Sequence, residues 1–575
     1  SRGLGDVYKR QVIALFCMAV FASCDMDKFF ELDRPESNPW LSVADLEYSV
    51  ADPYNTLFQN PSWQAPIGII PYYQELVADL STVNPQGAYE QEALYWYPRQ
   101  MSTFDVTGQQ FEKTFSILYR SVTGATSPLT YIEEKEKNGE PVFTNMTEND
   151  KKTLARQTGE LYFMRGYTYW LISRAFVAPY DPAGGDGNNR KFIPLINRLD
   201  YSQESARNPY MGTVKEVYDQ MLSDFTKAKN LIPEDYFVRG RTNKFAAAMM
   251  LMRVKWLMGD KDGALEEANY VITKAEAGVA PFDLTEEPIV AFNRNAEQQY
   301  TVDPVSKEVM FECAFTESNQ GNNVAIPLAR MCKTGIYNFK SKIFDASDKL
   351  WLDGARGSQN WQHGGWACAY WNPHLIKYIG WAITDDPMDL TNYVPSAEAL
   401  ADKRFTQLHY FLKNYTDGGD KTVHEMAYNQ TKWNAFWNDK YYRAPYGKYS
   451  QVPLIRLAEA YLTRATLVLS KNASQALGDV NKIRQRAGLT LLKNVTEEDI
   501  EKERIKEFGF ENGDRLLYLV AMQKTIDGQK RNPGAVYENP NTDGEPIPAM
   551  NPPYSNMYVP LPSVEYLYSG SYQQP

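Results

Sequence analysis

The chain predicts a mostly α fold: a scaffold of tetratricopeptide-like helix pairs carrying a long, loop-rich inserted layer with little β structure. Three observations predict it. Apolar residues recur at helical spacing along several segments. Two of those segments read as helix–turn–helix pairs. Between the helical stretches lie long runs rich in Pro, Gly, Asn and aromatic residues.

Taken along the chain, Val214, Val217, Tyr218, Met221, Leu222, Phe225 and Ala228 follow i, i+3, i+4, i+7 spacing, which places one apolar face on a helix. The first pair follows. Ala246, Met250, Val254 and Leu257 form a stripe, Gly259-Asp260-Lys261-Asp262 breaks it, and Leu265, Ala268, Ile272 and Ala275 begin another. The second pair runs through Leu454, Leu457, Ala458, Tyr461, Leu462 and Ala465, turns at Lys471-Asn472-Ala473, and continues through Ala476, Val480, Ile483 and Ala487 to Gly488. Small residues at Gly166, Ala247, Ala264, Ala268, Ala460 and Ala465 let partner helices approach closely. Stacked helix pairs of about 34 residues are the unit of tetratricopeptide repeats. Here the repeats are interrupted, and insertions this long usually hold structure or function of their own. The scaffold is expected over about 105–177, 212–276 and 451–520, and the ligand-binding insertions over about 61–105 and 281–449.

The N-terminal region points to export. Val12 to Cys24 is an apolar run after Lys9-Arg10, about ten residues in its core and short of the roughly 20 needed to span a bilayer. Residues 1–23 therefore read as a signal peptide. The first eleven, SRGLGDVYKRQ, carry Asp6 in what should be a basic region and read as a non-native start. Ala22-Ser23-Cys24 resembles a bacterial lipobox, which implies lipidation of Cys24; a plain secretory signal cut near Ala22 is the alternative. Residues 24–575 then form a single domain.

Composition narrows the function classes. A net charge of −11 argues against nucleic acid, whose binders neutralise phosphates with basic patches. Beyond Cys24 the cysteines are Cys313, Cys332 and Cys368, too few and too far apart for a disulfide framework. His363, Cys368 and His374 invite a metal reading, but their spacing matches no tight ligand pair. A G-x-S-x-G elbow and a P-loop are both absent from the sequence, so no catalytic residues and no cofactor are expected. The 39 Tyr and 12 Trp instead favour binding, since these rings offer a flat apolar face and a polar edge.

The aromatics cluster where the chain is broken. Trp361, Trp366, Tyr370, Trp371, Tyr378 and Trp381 are interrupted by Gly364-Gly365, Asn372-Pro373 and Gly380, which exclude one long helical stripe. A second cluster, Tyr95-Trp96-Tyr97, follows Tyr72, Tyr73 and Asp79. For any single ring, packing inside the loop layer competes with ligand contact.

Five stretches together resemble one family, the SusD/RagB outer-membrane glycan-binding lipoproteins of Bacteroidetes. They are Cys24-Asp25-Met26-Asp27 after the lipobox; GELYFMRGYTYWLISRAF at Gly159 to Phe176; TNKFAAAMMLMRVKWLMGD at Thr242 to Asp260; VPLIRLAEAYLTRATLVL at Val452 to Leu469 with NKIRQRAGL at Asn481 to Leu489; and ERIKEFGFENGDRLLYLV at Glu503 to Val520, closed by VPLPSVEYLYSGSYQQP at Val559 to Pro575. The family's usual Glu-Gly-x-Arg followed by an aromatic-Asp pair is replaced here by Glu511-Asn512-Gly513-Asp514-Arg515-Leu516-Leu517-Tyr518. Glu503, Arg504, Glu507, Glu511 and Arg515 are spaced three, four or seven apart, so a ladder of ion pairs along one helix face is expected, as a structural brace.

The resemblance implies a lipid-anchored protein at the outer membrane, facing the exterior, that binds a glycan and delivers it to a SusC-like TonB-dependent transporter. It implies no bond chemistry. The RagB branch carries an alternative, oligopeptides as ligand; a secreted glycoside hydrolase on the same scaffold is a further one. On the aromatic clusters and this resemblance, the ligand residues are expected to be Tyr73, Asp79, Tyr95, Trp96, Tyr97, Trp366, Trp371 and Trp381.

Overall fold

The structure, a computed structural model, describes residues 40–58, 65–83, 111–200, 202–292, 306–313, 341–343, 351–353, 369–383, 395–412, 416–417, 421–422, 435–441, 452–527, 549–562 and 565. Fifteen helices are described: α1 (Val43–Phe58), α2 (Pro66–Val77), α3 (Glu112–Lys137), α4 (Glu148–Phe176), α5 (Gln203–Arg207), α6 (Val214–Leu231), α7 (Lys244–Leu257), α8 (Lys261–Glu276), α9 (Pro373–Tyr378), α10 (Ala397–Ala401), α11 (Lys403–Leu408), α12 (Leu457–Val468), α13 (Ala473–Arg486), α14 (Glu497–Phe508) and α15 (Asp514–Ala521).

Local chemistry sets where the scaffold helices begin. Thr147, Thr213 and Thr496 start α4, α6 and α14, each with its side chain accepting from the backbone N–H three residues on and a reciprocal carboxylate from Asp150, Glu216 and Asp499. Asn243 and Asp260 cap α7 and α8. Between them Gly259 takes φ +83°, a left-handed conformation that ends α7 and frees the chain to start α8.

Helix α4 runs through the centre, and every residue from Gln157 to Phe176 is buried. It packs against α1, α3 and α6. At the α6 crossing, a Cβ on Gly166 would lie 3.0 Å from the Phe225 ring, so only glycine fits without displacing it. The two pairs read from the sequence form as α7–α8 and α12–α13, and α8 packs on α12 to join them. Helix α7 is buried nearly all round, not only along the Ala246–Met250–Val254–Leu257 stripe, because neighbours cover both sides; its buried Arg253 pairs with Glu459 of α12. Ala247, Ala264, Ala268, Ala460 and Ala465 are all fully buried at these contacts. Enlarging Ala465 to Phe is therefore expected to overpack α12 and cost about 1–3 kcal/mol. Chemical denaturation measures it, and an unchanged midpoint would put Ala465 on a tolerant surface.

One helix start is corrected. Leu454 was expected on the helical stripe of the second pair, but Val452–Arg456 is a strand and the helix begins at Leu457. Pro453 disfavours a helical conformation at the residue before it, and the β-branched Val452 and Ile455 suit a strand.

The strands are short and pair in two-stranded antiparallel sheets: β1 (Ser81–Val83), β2 (Lys191–Pro194), β3 (Met211–Thr213), β4 (Val309–Cys313), β5 (Ser341–Ile343), β6 (Trp351–Asp353), β7 (Ala369–Trp371), β8 (His409–Leu412), β9 (Thr416–Asp417), β10 (Lys421–Thr422), β11 (Ala435–Asn438) and β12 (Val452–Arg456). The pairing of β4 with β12 ties the inserted layer to the scaffold, and that of β1 with β7 joins the two insertions to each other. Among the described residues no helix is long and apolar enough to cross a membrane.

The expected ion-pair ladder is also corrected. Helix α14 ends at Phe508, and Phe510, Asn512 and Gly513, all at positive φ, turn the chain before α15. Glu511 and Arg515 therefore leave the face that carries Glu503 and Glu507. The charges instead reach distant elements. Arg456 meets Glu511 and Glu507, each at 2.9 Å, and also Glu308. Arg486 bridges Glu308 and Glu507; Lys440 lies 2.7 Å from Glu511; Arg404 joins Asp402 and Glu503, both at 2.8 Å. All are buried. Burial alone would raise the Glu507 carboxyl, but the guanidiniums of Arg486, Arg456 and Arg404 outweigh it and hold the group well below the usual carboxylate range. Glu308 and Glu503 are lowered by the same balance of burial and neighbouring cations. The cluster is a brace between the layer (Asp402, Arg404, Lys440) and the scaffold.

Candidate ligand-binding site

The sequence segments that carry the two aromatic clusters are joined at their described ends, where β1 pairs with β7. Ser81 lies opposite Trp371, Thr82 opposite Tyr370 and Val83 opposite Ala369. The pairing is antiparallel, so the chain leaves β1 after Val83 at the same end where it arrives at Ala369. Beyond Val83 the sequence carries Tyr95-Trp96-Tyr97; before Ala369 it carries Trp361 and Trp366. Trp366 is three residues from β7, within about 10 Å along the chain. The junction is fixed from below: Asn372 N–H donates to the Leu80 carbonyl and its side-chain amide to the Asp79 carbonyl, both at 2.8 Å.

The floor of this edge is a packed aromatic cluster. Trp371 contacts Trp381, His409, Phe436 and Phe510 with ring centroids 5.6, 5.2, 6.0 and 5.4 Å apart. Phe405 stacks on Phe436 at 5.0 Å and meets Trp381 edge-on at 5.4 Å. The Trp381 indole N–H donates to Asp402 at 3.3 Å. A Cβ on Gly509 would stand 2.2 Å from the Trp371 ring, so α14 must end on a glycine for that ring to fit.

Four expected ligand residues therefore take structural places. Trp371 and Trp381 are 0% exposed, and protein rings already cover the faces a ligand would use. Tyr73 is 1% exposed, with its ring edge-to-face on Phe111 at 5.7 Å. The Asp79 carboxylate is held by both ends of the Arg515 guanidinium, at 2.6 and 2.7 Å, and Arg515 also donates to Glu501 at 2.7 Å. Burial by itself lowers the Arg515 guanidinium, but Asp79 and Glu501 raise it further, so the charge is locked in place. Residue type and clustering did not separate these four from ligand contacts, because packing and binding draw on the same side chains. Arg515, missed as the partner of Asp79, carries no local signal for a contact 436 residues away.

Tyr95, Trp96, Tyr97, Trp366 and Cys24 lie outside the described residues, as do Trp361, His363, Cys332 and Cys368. Cys313 is a buried free thiol. Among the described residues no group of three or more His, Cys, Asp or Glu is placed to hold a metal ion.

Residues 43–255 match the family described as "Starch-binding associating with outer membrane", and residues 307–566 match the SusD family. The chain is 27% identical over 353 residues to SusD-like protein P2 of Formosa agariphila, covering 60% of this chain and 58% of that relative's length. Over a 63-residue stretch it is 43% identical to the starch-binding protein SusD of Bacteroides thetaiotaomicron, 11% of each chain. Among solved structures, a sugar-binding protein assigned as such in Bacteroides vulgatus superposes with a TM-score of 0.64 at 18% identity, covering 94% of this chain and 99% of that one. Surface glycan-binding protein A of Bacteroides thetaiotaomicron, in complex with laminarihexaose, superposes with a TM-score of 0.62 at 15% identity, covering 92% and 99%.

Proposed function

The chain belongs to the SusD/RagB family, and on that premise we propose that it captures a glycan at the cell surface and delivers it to a SusC-like TonB-dependent outer-membrane transporter. The observation that carries this reading is the β1–β7 junction, which starts both aromatic-bearing segments from one edge above a rigid floor. Trp96, with Tyr95 and Tyr97, and Trp366 are the ligand contacts on this reading. The mechanism is binding and release with no bond made or broken, and no cofactor takes part.

Magnitudes suit capture and hand-off. An aromatic contact contributes about 0.5–1.5 kcal/mol beyond area burial and a net hydrogen bond about 1 kcal/mol. Two or three of the former and a few of the latter give a dissociation constant between about micromolar and millimolar, weak enough for fast release. An affinity gel of glycans and oligopeptides tests the ligand class. Retardation by a glycan supports the proposal; retardation by peptides alone replaces it with the peptide reading. Reducing-sugar release from a polysaccharide panel would replace binding with hydrolysis.

The body reaches its place through the N-terminus: residues 1–23 direct export, Cys24 carries the lipid, and residues 24–575 form one domain outside the cytoplasm. Acylation supplies most of the membrane affinity of such a protein. Cys24→Ala is therefore expected to shift it from the membrane pellet to the soluble fraction. A variant that still sediments wholly with outer membrane contradicts the anchor.

A further inference from the structure

The geometry points to a second saccharide site, between the α6–α7 turn and β4, which seats one neutral sugar unit through a hydroxyl on the buried carboxylate of Glu312; it rests on the glycan reading above. Glu312 is 4% exposed. Its Oε1 accepts from the Arg239 guanidinium at 2.6 Å, while among the described residues its buried Oε2 takes no hydrogen bond from the protein. A buried acceptor left without a donor is costly, so this oxygen calls for one.

Glu312 lines a cavity of about 210 Å³, walled also by Phe237 and Val238 of the α6–α7 turn, by Pro281 and Phe282 after α8, and by Met310 of β4. A single water needs about 10–15 Å³ of such space, so the room far exceeds what one bridging water would fill. Pro281, Phe282 and Lys307 line this cavity and an adjoining one of about 530 Å³, which offers the rest of an oligosaccharide a continuing path. Glu75 and Glu507 also keep one buried oxygen without a donor, yet neither lines either cavity. No residue of β1 or β7 lines them, so the site is separate from the aromatic edge.

The walls and the charges select the ligand. Phe237 stacks on Phe245 with ring centroids 6.0 Å apart and meets Phe282 edge-on at 5.6 Å, so the two rings form a fixed apolar wall for the C–H face of a pyranose. The Arg239 guanidinium already neutralises the carboxylate and would repel an ammonium brought to Oε2, while the oxygen itself repels an anion. A hydroxyl donates without bringing charge, which leaves a neutral sugar as the complement.

Calorimetry and radical footprinting of the full chain test this with neutral gluco-, xylo- and manno-oligosaccharides and with oligomers of glucosamine and of glucuronate. The neutral ligand that binds is expected to protect the half-buried Phe237 from labelling, and Trp96→Ala, at the aromatic edge, should leave that protection in place. Glu312→Gln keeps a carbonyl for Arg239 and turns an amide donor into the cavity. Val238→Trp, at a position 49% exposed, blocks the mouth without touching an ion pair. Each should abolish the protection and weaken binding at this site about tenfold. Should Glu312→Gln melt early, Val238→Trp decides alone. Unchanged Phe237 labelling at saturating ligand, protection that survives Val238→Trp, or preference for either charged oligomer overturns the site while leaving glycan binding intact. A wild-type chain that binds no glycan at all overturns the broader function and this site with it.

Discussion

Replacing Arg456 by Met is expected to destabilise the protein by about 3–5 kcal/mol, because it strips the shared cation from three buried carboxylates. Glu308, Glu507 and Glu511 would then rely on Arg486, Arg404 and Lys440 alone. Met nearly matches the volume of the arginine stem, so the loss reports the charge and not a cavity. The same variant should change the response to acid. Glu308, Glu503 and Glu507 titrate lower folded than unfolded, so they add stability above the unfolded carboxylate pKa of about 4.3 and lose it as pH falls toward the folded values. Denaturant melts across the acid range should show the wild type losing stability more steeply than Arg456→Met. Equal midpoints at neutral pH would mean that the layer docks without this cluster.

The consequence reaches the site. Arg404, Asp402 and Lys440 belong to the same inserted layer as β7, β8 and β11, and the brace holds that layer against α14 and α13. A weakened brace would loosen the aromatic floor before it disturbed α4, which carries none of these charges. Binding at the β1–β7 edge should therefore fall in parallel with stability in this variant.

The helices were legible because burial imposes a period. Val214 to Ala228 and Ala476 to Ala487 announced their buried faces, Gly259 marked the end of α7 and Gly488 that of α13. The start of α12 was less legible because Val452 to Arg456 continues an apolar run whose identity is decided by pairing with β4, far away in sequence. Charged residues were least legible. Glu503, Glu507 and Glu511 have spacing that fits a local ladder, yet burial rewards partners on whichever element closes over them, and a sequence records no such closure. At the site, the breaker residues correctly separated the Trp cluster from a helical stripe. They did not separate rings facing inward from rings facing out, since alternation along a three-residue strand such as β7 is too short to read.

Trp371→Ala is expected to cost about 3–5 kcal/mol in folding stability, through lost transfer energy and the cavity left among Trp381, His409, Phe436 and Phe510. Gly509 sharpens the expectation, because α14 and its following turn are shaped around that ring and cannot collapse far into the space. Trp96→Ala and Trp366→Ala should behave in the opposite way. A ring that stacks on ligand loses at least about 1 kcal/mol of binding, a fivefold or greater drop in affinity, while the melting temperature holds. Thermal melts and glycan titrations on these variants, with Trp381→Ala as a second core control, separate the two roles. Early melting of all four would make both clusters packing and move the ligand contacts elsewhere. Late melting of Trp371→Ala with weakened binding would return that ring to the ligand and contradict its buried place.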